Sequence, residues 1–560
     1  MESKLLGELN NIQAKIGVLR NQRAALESRI AAIWSLPNEI LAHIFNFGVM
    51  DEQKEATADS DDDGDLRDDS EHLSFKLLAS FNVLVSHVCR KFREVAIHTP
   101  SLWTQIHIYS LEPPRMDFMR ACAERSGSFG LDIMINCEED RPVTNASIHL
   151  LIEILVPCID RFKKFAIRFY GFQHLHTIMQ HLDRPAPQLE VLDISDANCL
   201  IRHEDDDIFY PSSLREPLVL FEGIAPKLDS VFLDGVHVAW EKCNFTGLKV
   251  FQMGHHARDV RPTYEEFKAI IDASPALHTM RLDGSAPLVS DDPFESSHRL
   301  PLQMERLETL HISNMSAGCA TGLISLFNSP NLKSLSLTDL CDADYSPFFR
   351  RMVGPPLLFP ALTALKLSSV DVSEAAFEHL LRACSSLTRL TLYFEPIPLS
   401  WLAFLEPEGS AGEVSCPKLE YLRCAGASTY ALKQLLEKRR DAGFPIPRLG
   451  IDKGLQSWEG PSLNIQWLED NAAVKYFEPS EFGNNESASD WGTDEGEDEI
   501  GGIPLFAMED FSDEDDDEEY DEDQIYEEDE DIIAGEVDEE GDISGMEVGD
   551  TGYDSEFWGE

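Results

Sequence analysis

The chain has 560 residues and an ordinary apolar content of 43%, but Asp and Glu number 101 against 46 Lys and Arg, a formal charge of -55. That length exceeds what one compact core usually holds, so two or more folded units or one elongated repeat array are expected. The acidity argues against DNA or RNA as a direct ligand, because phosphate binding needs clustered Lys and Arg. Eleven scattered Cys, with no Cys-x-x-Cys pair and no His cluster at zinc-ligand spacing, fit buried thiols in a reducing compartment; no metal or cofactor is expected.

Residues 1–33 place Leu5, Leu9, Ile12, Ile16, Leu19, Leu26, Ile30 and Ile33 at steps of three and four, with one gap filled by Arg23. The spacing predicts a coiled-coil-like helix about 45 Å long. Packing against its own domain and self-association both remain open for it. The N-terminus carries no apolar signal region, and the longest apolar run, around LLIEILVPCI, is too short for a bilayer, so the chain reads as cytoplasmic or nuclear.

In SLPNEILAHIF, Pro37 precedes a helix with Ile40, Leu41, Ile44 and Phe45 on one face. An Asp-rich stretch at about 50–72 then separates it from LVSHVCRKFREVAIHTPSLW, where Val85, Val88, Cys89, Phe92, Val95 and Ala96 form a second apolar face. Together these resemble the F-box pattern of Leu-Pro, Glu, apolar pairs, then Val-Cys, two basic residues, an aromatic residue and a Leu-Trp ending. Leu36, Pro37, Glu39, Ile40, Leu41, Ile44 and Phe45 match the first half. Val85, Val88, Cys89, Arg90, Lys91, Phe92, Leu102 and Trp103 match the second.

The resemblance spans residues 34–108, with the acidic stretch as an insertion that loop-closure entropy tolerates. It implies a Skp-type adaptor as partner, and through it a cullin ubiquitin ligase. The adaptor would be held in a hydrophobic helix-in-groove contact by Leu36, Pro37, Ile40, Leu41, Ile44, Phe45, Val88, Phe92 and Trp103. With the repeats described next, the chain resembles the F-box and leucine-rich-repeat proteins of mushroom-type fungi. Phe92 and Trp103 have a second reading, as residues that only hold the module together.

From residue 109 one phrase recurs: LEVLDI from Leu189, LDSVFL from Leu228, LKVFQM from Leu248, LHTMRL from Leu277, LETLHI from Leu307, LKSLSL from Leu332, LTALKL from Leu362, LTRLTL from Leu387 and LEYLRC from Leu419. FKKFAI from Phe162 is an aromatic version. The spacing of about 20 to 39 residues falls in the range of leucine-rich repeats. Helix-like segments such as YEEFKAIIDAS and SEAAFEHLLRACS lie between. The expected architecture is α/β: an N-terminal helix, a three-helix F-box, and a solenoid with a curved parallel sheet and outer helices over 109–479, whose last strands and cap come from FPIPRLGIDKG and SLNIQWLEDNAAVKYFEP. A disordered acidic tail is expected over 480–560.

In such an array the residues between buried leucines line the concave face. His311, Lys366, Arg389, Tyr393, Tyr421 and Arg423 are therefore candidate contacts for a protein substrate, their charge suiting an anionic segment. An ordinary solvated polar face is the other reading of each. His255 and His256 read as turn residues. No Gly-x-Ser-x-Gly elbow, Walker loop or dinucleotide fingerprint is present, so a non-catalytic substrate receptor is expected. The rival is a non-ligase scaffold or acidic chaperone-like protein whose tail binds basic partners.

Overall fold

The computed structural model describes residues 15–20, 22–23, 36–58, 81–137, 143–198, 208–288, 301–340, 343–394, 397–407, 414–453 and 463–477. Most of the expected N-terminal helix, most of the acidic insertion and the whole acidic tail lie outside them.

Three helices and a helical turn make the described part of the N-terminal module. Helix α1 (Asn38–Ala58) starts at Pro37, whose carbonyl accepts the Leu41 N–H at 3.2 Å. It does not stop at Met50: the backbone stays helical through 51–58, the first part of the expected insertion. The sequence DEQKEATA explains this, since it contains good helix formers and no Gly or Pro. Helices α2 (Phe81–Val88) and α3 (Arg90–Ile97) are separated by Cys89, which has extended backbone and whose Sγ accepts the Phe92 N–H at 3.4 Å. A 3-10 turn over Pro100–Trp103 closes the unit.

The rest of the described chain is one parallel sheet of fourteen strands with helices in the connections. The strands, in spatial order, are β1 (Gln105–Ile108), β2 (Leu131–Asn136), β3 (Phe162–Phe169), β4 (Val191–Asp196), β5 (Ser230–Asp234), β6 (Val250–Gly254), β7 (Thr279–Asp283), β9 (Thr309–Ser313), β11 (Ser334–Leu340), β12 (Ala364–Val370), β13 (Arg389–Tyr393), β14 (Tyr421–Ala425), β15 (Arg448–Asp452) and β16 (Ala473–Phe477). Two short strands, β8 (Leu302–Gln303) and β10 (Phe327–Asn328), pair separately. Spatial order follows chain order, the signature of a solenoid in which each unit packs on its neighbours.

Each of the nine phrases begins two residues before its strand. In all nine the first, fourth and sixth residues are buried, as with Leu332, Leu335 and Leu337 or Leu387, Leu390 and Leu392. The first residue belongs to a turn that sets the strand's start. Leu277, Leu332, Leu362 and Leu419 donate their N–H to the carbonyls of Ser274, Ser329, Phe359 and Cys416 at 3.1–3.3 Å, with Pro275, Pro330, Pro360 and Pro417 at the second position of each turn. Pro fixes the φ that this position requires.

Helices α4 (Pro113–Arg125), α5 (Asn145–Leu155) and α6 (Phe172–Met179) serve the first repeats. The described part of the β4–β5 connection uses 3-10 turns instead, and the β5–β6 connection only non-helical turns. Then follow α7 (Tyr264–Asp272), α8 (Ala317–Leu326), α9 (Ser346–Val353), α10 (Glu374–Ala383), α11 (Leu399–Ala403), α12 (Thr429–Asp441) and α13 (Leu463–Asn471). The start of α7 shows the local logic: Thr263 accepts the Glu266 N–H while the Glu266 carboxylate accepts the Thr263 N–H at 2.8 Å, a capping box.

The C-terminal repeats are tied by Arg439 on α12, a fully buried residue. Its guanidinium donates to the carbonyls of Phe444 (3.1 Å), Leu405 (2.9 Å), Ser415 (3.0 Å) and Cys416 (3.0 Å). Burial pulls its pKa down to about 10, so it stays charged at neutral pH.

Candidate functional site

Two surfaces have the chemistry expected of a docking protein. The first is the N-terminal module. Leu41, Phe45 and Trp103 are buried and form its core with Val85, Val95, Ala96 and Leu102. Phe92 is half-buried against that core, its ring edge-on to Phe45 at 5.1 Å between centroids. Trp103 donates its Nε1–H to the Ala96 carbonyl at 2.8 Å, and the Arg125 guanidinium lies 4.3 Å over its ring, joining the module to α4. Of the nine residues expected to meet an adaptor, these three buried ones have no side-chain surface to offer and Phe92 has only part of one. Their alternation with polar neighbours reads the same whether an apolar face is covered by the module or by a partner.

Pro37, Ile40, Ile44 and Val88 are exposed, and Leu36 is half-buried beneath Lys91, whose Nζ donates to the Leu36 carbonyl at 2.7 Å. Ile40 and Ile44 are 45% and 47% exposed and, with exposed Phe47, follow the i, i+4, i+7 spacing of one helical stripe. Leu84 and Val88, 50% and 64% exposed, repeat that spacing on α2. Phe47 and Leu84 were missed from sequence, although each extends the stripe by one turn. Gly48 has a packing role: a Cβ there would strike the Phe81 ring, so its absence lets α2 approach α1.

The second surface is the sheet face opposite the leucines. Register carries one row across it: Arg281 on β7, then His311, Ser336, Lys366, Thr391, Arg423, Gly450 and Lys475 on successive strands to β16. The adjacent row contains Arg389, Tyr421 and Arg448, and Tyr393 lies on the other side of the first row, level with Ala425. The six candidate substrate residues thus share one face. Arg281, Arg448 and Lys475 join them; Arg281 could have been found, since it holds the same fifth place in its phrase as His311, Lys366 and Arg423.

The electrostatics reflect crowded cations. Burial, reinforced by the charges of Arg281 and Lys366, pushes the His311 pKa down to about 3, so its imidazole is neutral at physiological pH. Arg281 is brought down to about 10 by burial, and Arg389 is lowered by burial and then by Arg448. Asp339, on the same sheet, is raised by burial and by Asp283, against the pull of Lys366. Arg423 lies over the Phe477 ring at 4.1 Å, crossing Gly450, where a Cβ would stand 2.7 Å from Arg423 Cγ and 3.0 Å from Tyr421 Oη.

His255 and His256 follow β6 in a turn. The Nδ1 of His255 is 2.8 Å from Asp234 Oδ1, and its φ is 52°. His256 is buried: its Nε2–H donates to the Val236 carbonyl at 2.8 Å and its Nδ1 lies 3.1 Å from Ser285 Oγ. Among the described residues no group of three or more His, Cys, Asp or Glu could hold a metal ion, and no helix is long and apolar enough to cross a membrane.

Comparison with protein-family models matches residues 33–109 to the F-box-like domain. Among curated proteins, none matches the chain.

Proposed function

From an F-box-like domain joined to a parallel solenoid, we propose that this chain is the substrate-recruiting subunit of a Skp-cullin-F-box ubiquitin ligase, and that the solenoid is a leucine-rich-repeat array. The Skp-type adaptor docks on Pro37, Ile40, Ile44 and Val88, with Leu36 and the open edge of Phe92 beside them. Leu41, Phe45 and Trp103 act through the module's own core and position that face. The target is held at His311, Lys366, Arg389, Tyr393, Tyr421 and Arg423. Ubiquitin transfer belongs to other subunits, and this chain contributes proximity and orientation.

The observation that carries this reading is the division of labour on α1. Leu41 and Phe45 complete a core, while Ile40 and Ile44, one residue earlier in each pair, remain 45% and 47% exposed. A stripe of large apolar side chains left open on a well-packed module marks a protein-binding face. Co-purification of the intact chain with a Skp-type adaptor tests it. Binding should disappear in the Ile40→Asp, Ile44→Asp double variant while its circular dichroism stays unchanged. An intact chain that never binds adaptor refutes the proposal.

A further inference from the structure

The cations on the sheet face differ in their access to solvent. Lys366 and Arg423 are buried, and Arg423 is engaged with the Phe477 ring. Arg448, at the start of β15, keeps 51% of its side chain in water, and Lys475 on β16 is exposed. Strand alternation and register put Arg448, Gly450, Arg423 and Lys475 on one side of the sheet. An anion arriving from solvent therefore meets Arg448 and Lys475 first.

The surroundings concentrate donors at this rim. Arg389 and Arg448 flank Tyr421 in one row, their backbones two strand spacings, about 10 Å, apart. They are near enough that the charge of Arg448 helps lower the Arg389 pKa, after burial. Gly450 leaves bare backbone level with Arg423 and Lys475, and a Cβ there would stand 3.0 Å from Tyr421 Oη, so the phenol reaches over this gap. The Glu420 carboxylate approaches Arg448 only to 3.9 Å and is 60% exposed, too far for a hydrogen bond and able to turn into solvent. Asp452, the other acid on this face of β15, stands at the far end of the strand.

The donor set decides which anion fits. A chain of formal charge -55 repels diffuse acidity, and that repulsion is screened beyond about 8 Å at physiological ionic strength, so contact at the rim itself selects the ligand. A carboxylate brings one charge and two oxygens. A phosphorylated side chain brings a charge of about -1.5 to -2 and three acceptor oxygens, enough to accept from guanidinium, ammonium and phenol together. Guanidinium groups also pair with phosphoryl oxygens in a bidentate manner.

We propose that the rim formed by Arg448 and Lys475, with Arg389 and Tyr421 beside them, is a phosphoryl-binding site, and that the chain takes up targets carrying a phosphorylated residue. The target selection rests on the sheet face being the target-binding surface proposed above; the phosphoryl recognition does not. A phosphoryl transfer to the target then precedes its capture, which makes recruitment conditional on a kinase-type reaction.

Retention of the intact chain on degenerate phosphoserine peptides, beside the same peptides with Ser or Glu in that place, tests this at about 0.15 M salt. Phosphopeptides should hold about ten times more protein than Ser peptides and about three times more than Glu peptides. Inorganic phosphate should release it where acetate of equal ionic strength does not. An Arg448→Glu, Lys475→Glu double variant should lose about tenfold in retention, whereas Lys268→Glu with Lys438→Glu, the same charge change on α7 and α12, should lose little. If the first variant fails to fold, the unaltered chain answers: bound phosphopeptide should shield Arg448 from phenylglyoxal, read by mass spectrometry. Equal retention on Glu and phosphoserine peptides, retention that survives the first double variant, or an unshielded Arg448 overturns the proposal, the first by showing an acidic ligand without phosphate. Adaptor co-purification is read separately. A chain that binds adaptor but not phosphopeptide overturns this inference and leaves the proposed function standing; the reverse result keeps the rim and overturns the ligase reading.

Discussion

Replacing Arg439 by Met tests whether the C-terminal repeats depend on one buried charge. Met keeps most of the side-chain volume and removes all four hydrogen bonds, to the carbonyls of Phe444, Leu405, Ser415 and Cys416. A buried carbonyl left without a donor costs about 1–3 kcal/mol. Removing the guanidinium also removes a desolvation penalty that the fold already bears, so the four losses do not add in full. The net expectation is about 3–5 kcal/mol, the usual cost of stripping one partner from a buried charged network. Arg439→Lys should recover less than half of this, because one ammonium cannot reach carbonyls spread over three segments. Repeat arrays can lose cooperativity, so hydrogen exchange is the better readout. Amides of β13 to β15 should lose protection by that amount while those of β2 to β4 change little. A loss under 1 kcal/mol, or equal protection in the Lys and Met variants, would show that water or the neighbouring backbone satisfies these carbonyls without Arg439.

Leu41→Ala should destabilise the N-terminal module by about 2–5 kcal/mol, whereas Ile44→Ala should change its stability by less than about 1 kcal/mol yet weaken adaptor binding; equal stability losses would contradict the partition of α1. The His256 pKa is pushed down to about 3 by burial, so the unfolded chain binds the extra proton as pH falls below about 6.5. Its contribution to stability is complete above that pH and declines toward pH 3, with a slope of up to about 1.4 kcal/mol per unit. His256→Gln should flatten the pH dependence of unfolding between pH 7 and 5, and superimposable profiles would count against it. Gly450→Ala should push Arg423 off Phe477 and cost about 1–2 kcal/mol in denaturant unfolding; a neutral substitution would mean that Arg423 finds an equivalent rotamer.

The strands were legible because the repeat phrase serves two needs at once, a turn that starts the strand and three side chains that must leave water. Leu332, Leu335 and Leu337 satisfy both, and β11 begins where they place it. Strands β1 and β2 lack the phrase and were not singled out. The sheet begins at Gln105, inside the segment matched to the F-box-like domain, because QIHI pairs with LDIMIN instead of ending the helical module. The proposed adaptor face was legible only in part. Apolar periodicity finds the inner and outer sides of α1 together, and only the positions of α2 and α3 decide that Leu41 turns inward and Ile44 outward. The cation row needed register as well: nothing local in AVKYF reveals that Lys475 stands level with Arg423, two strands away.

Strand β1 leaves Trp103 after a single residue, and the module's core belongs to the same apolar cluster as that of the sheet. Without a hinge between them, the N-terminal module is the solenoid's first layer. On the proposed reading this fixes a gauge. The distance from adaptor to target is set by how many strands separate β1 from the residues that grip the target, at about 4.8 Å per strand. Inserting or deleting one repeat would move the captured target by one such step relative to the ubiquitin donor while leaving both binding surfaces chemically intact.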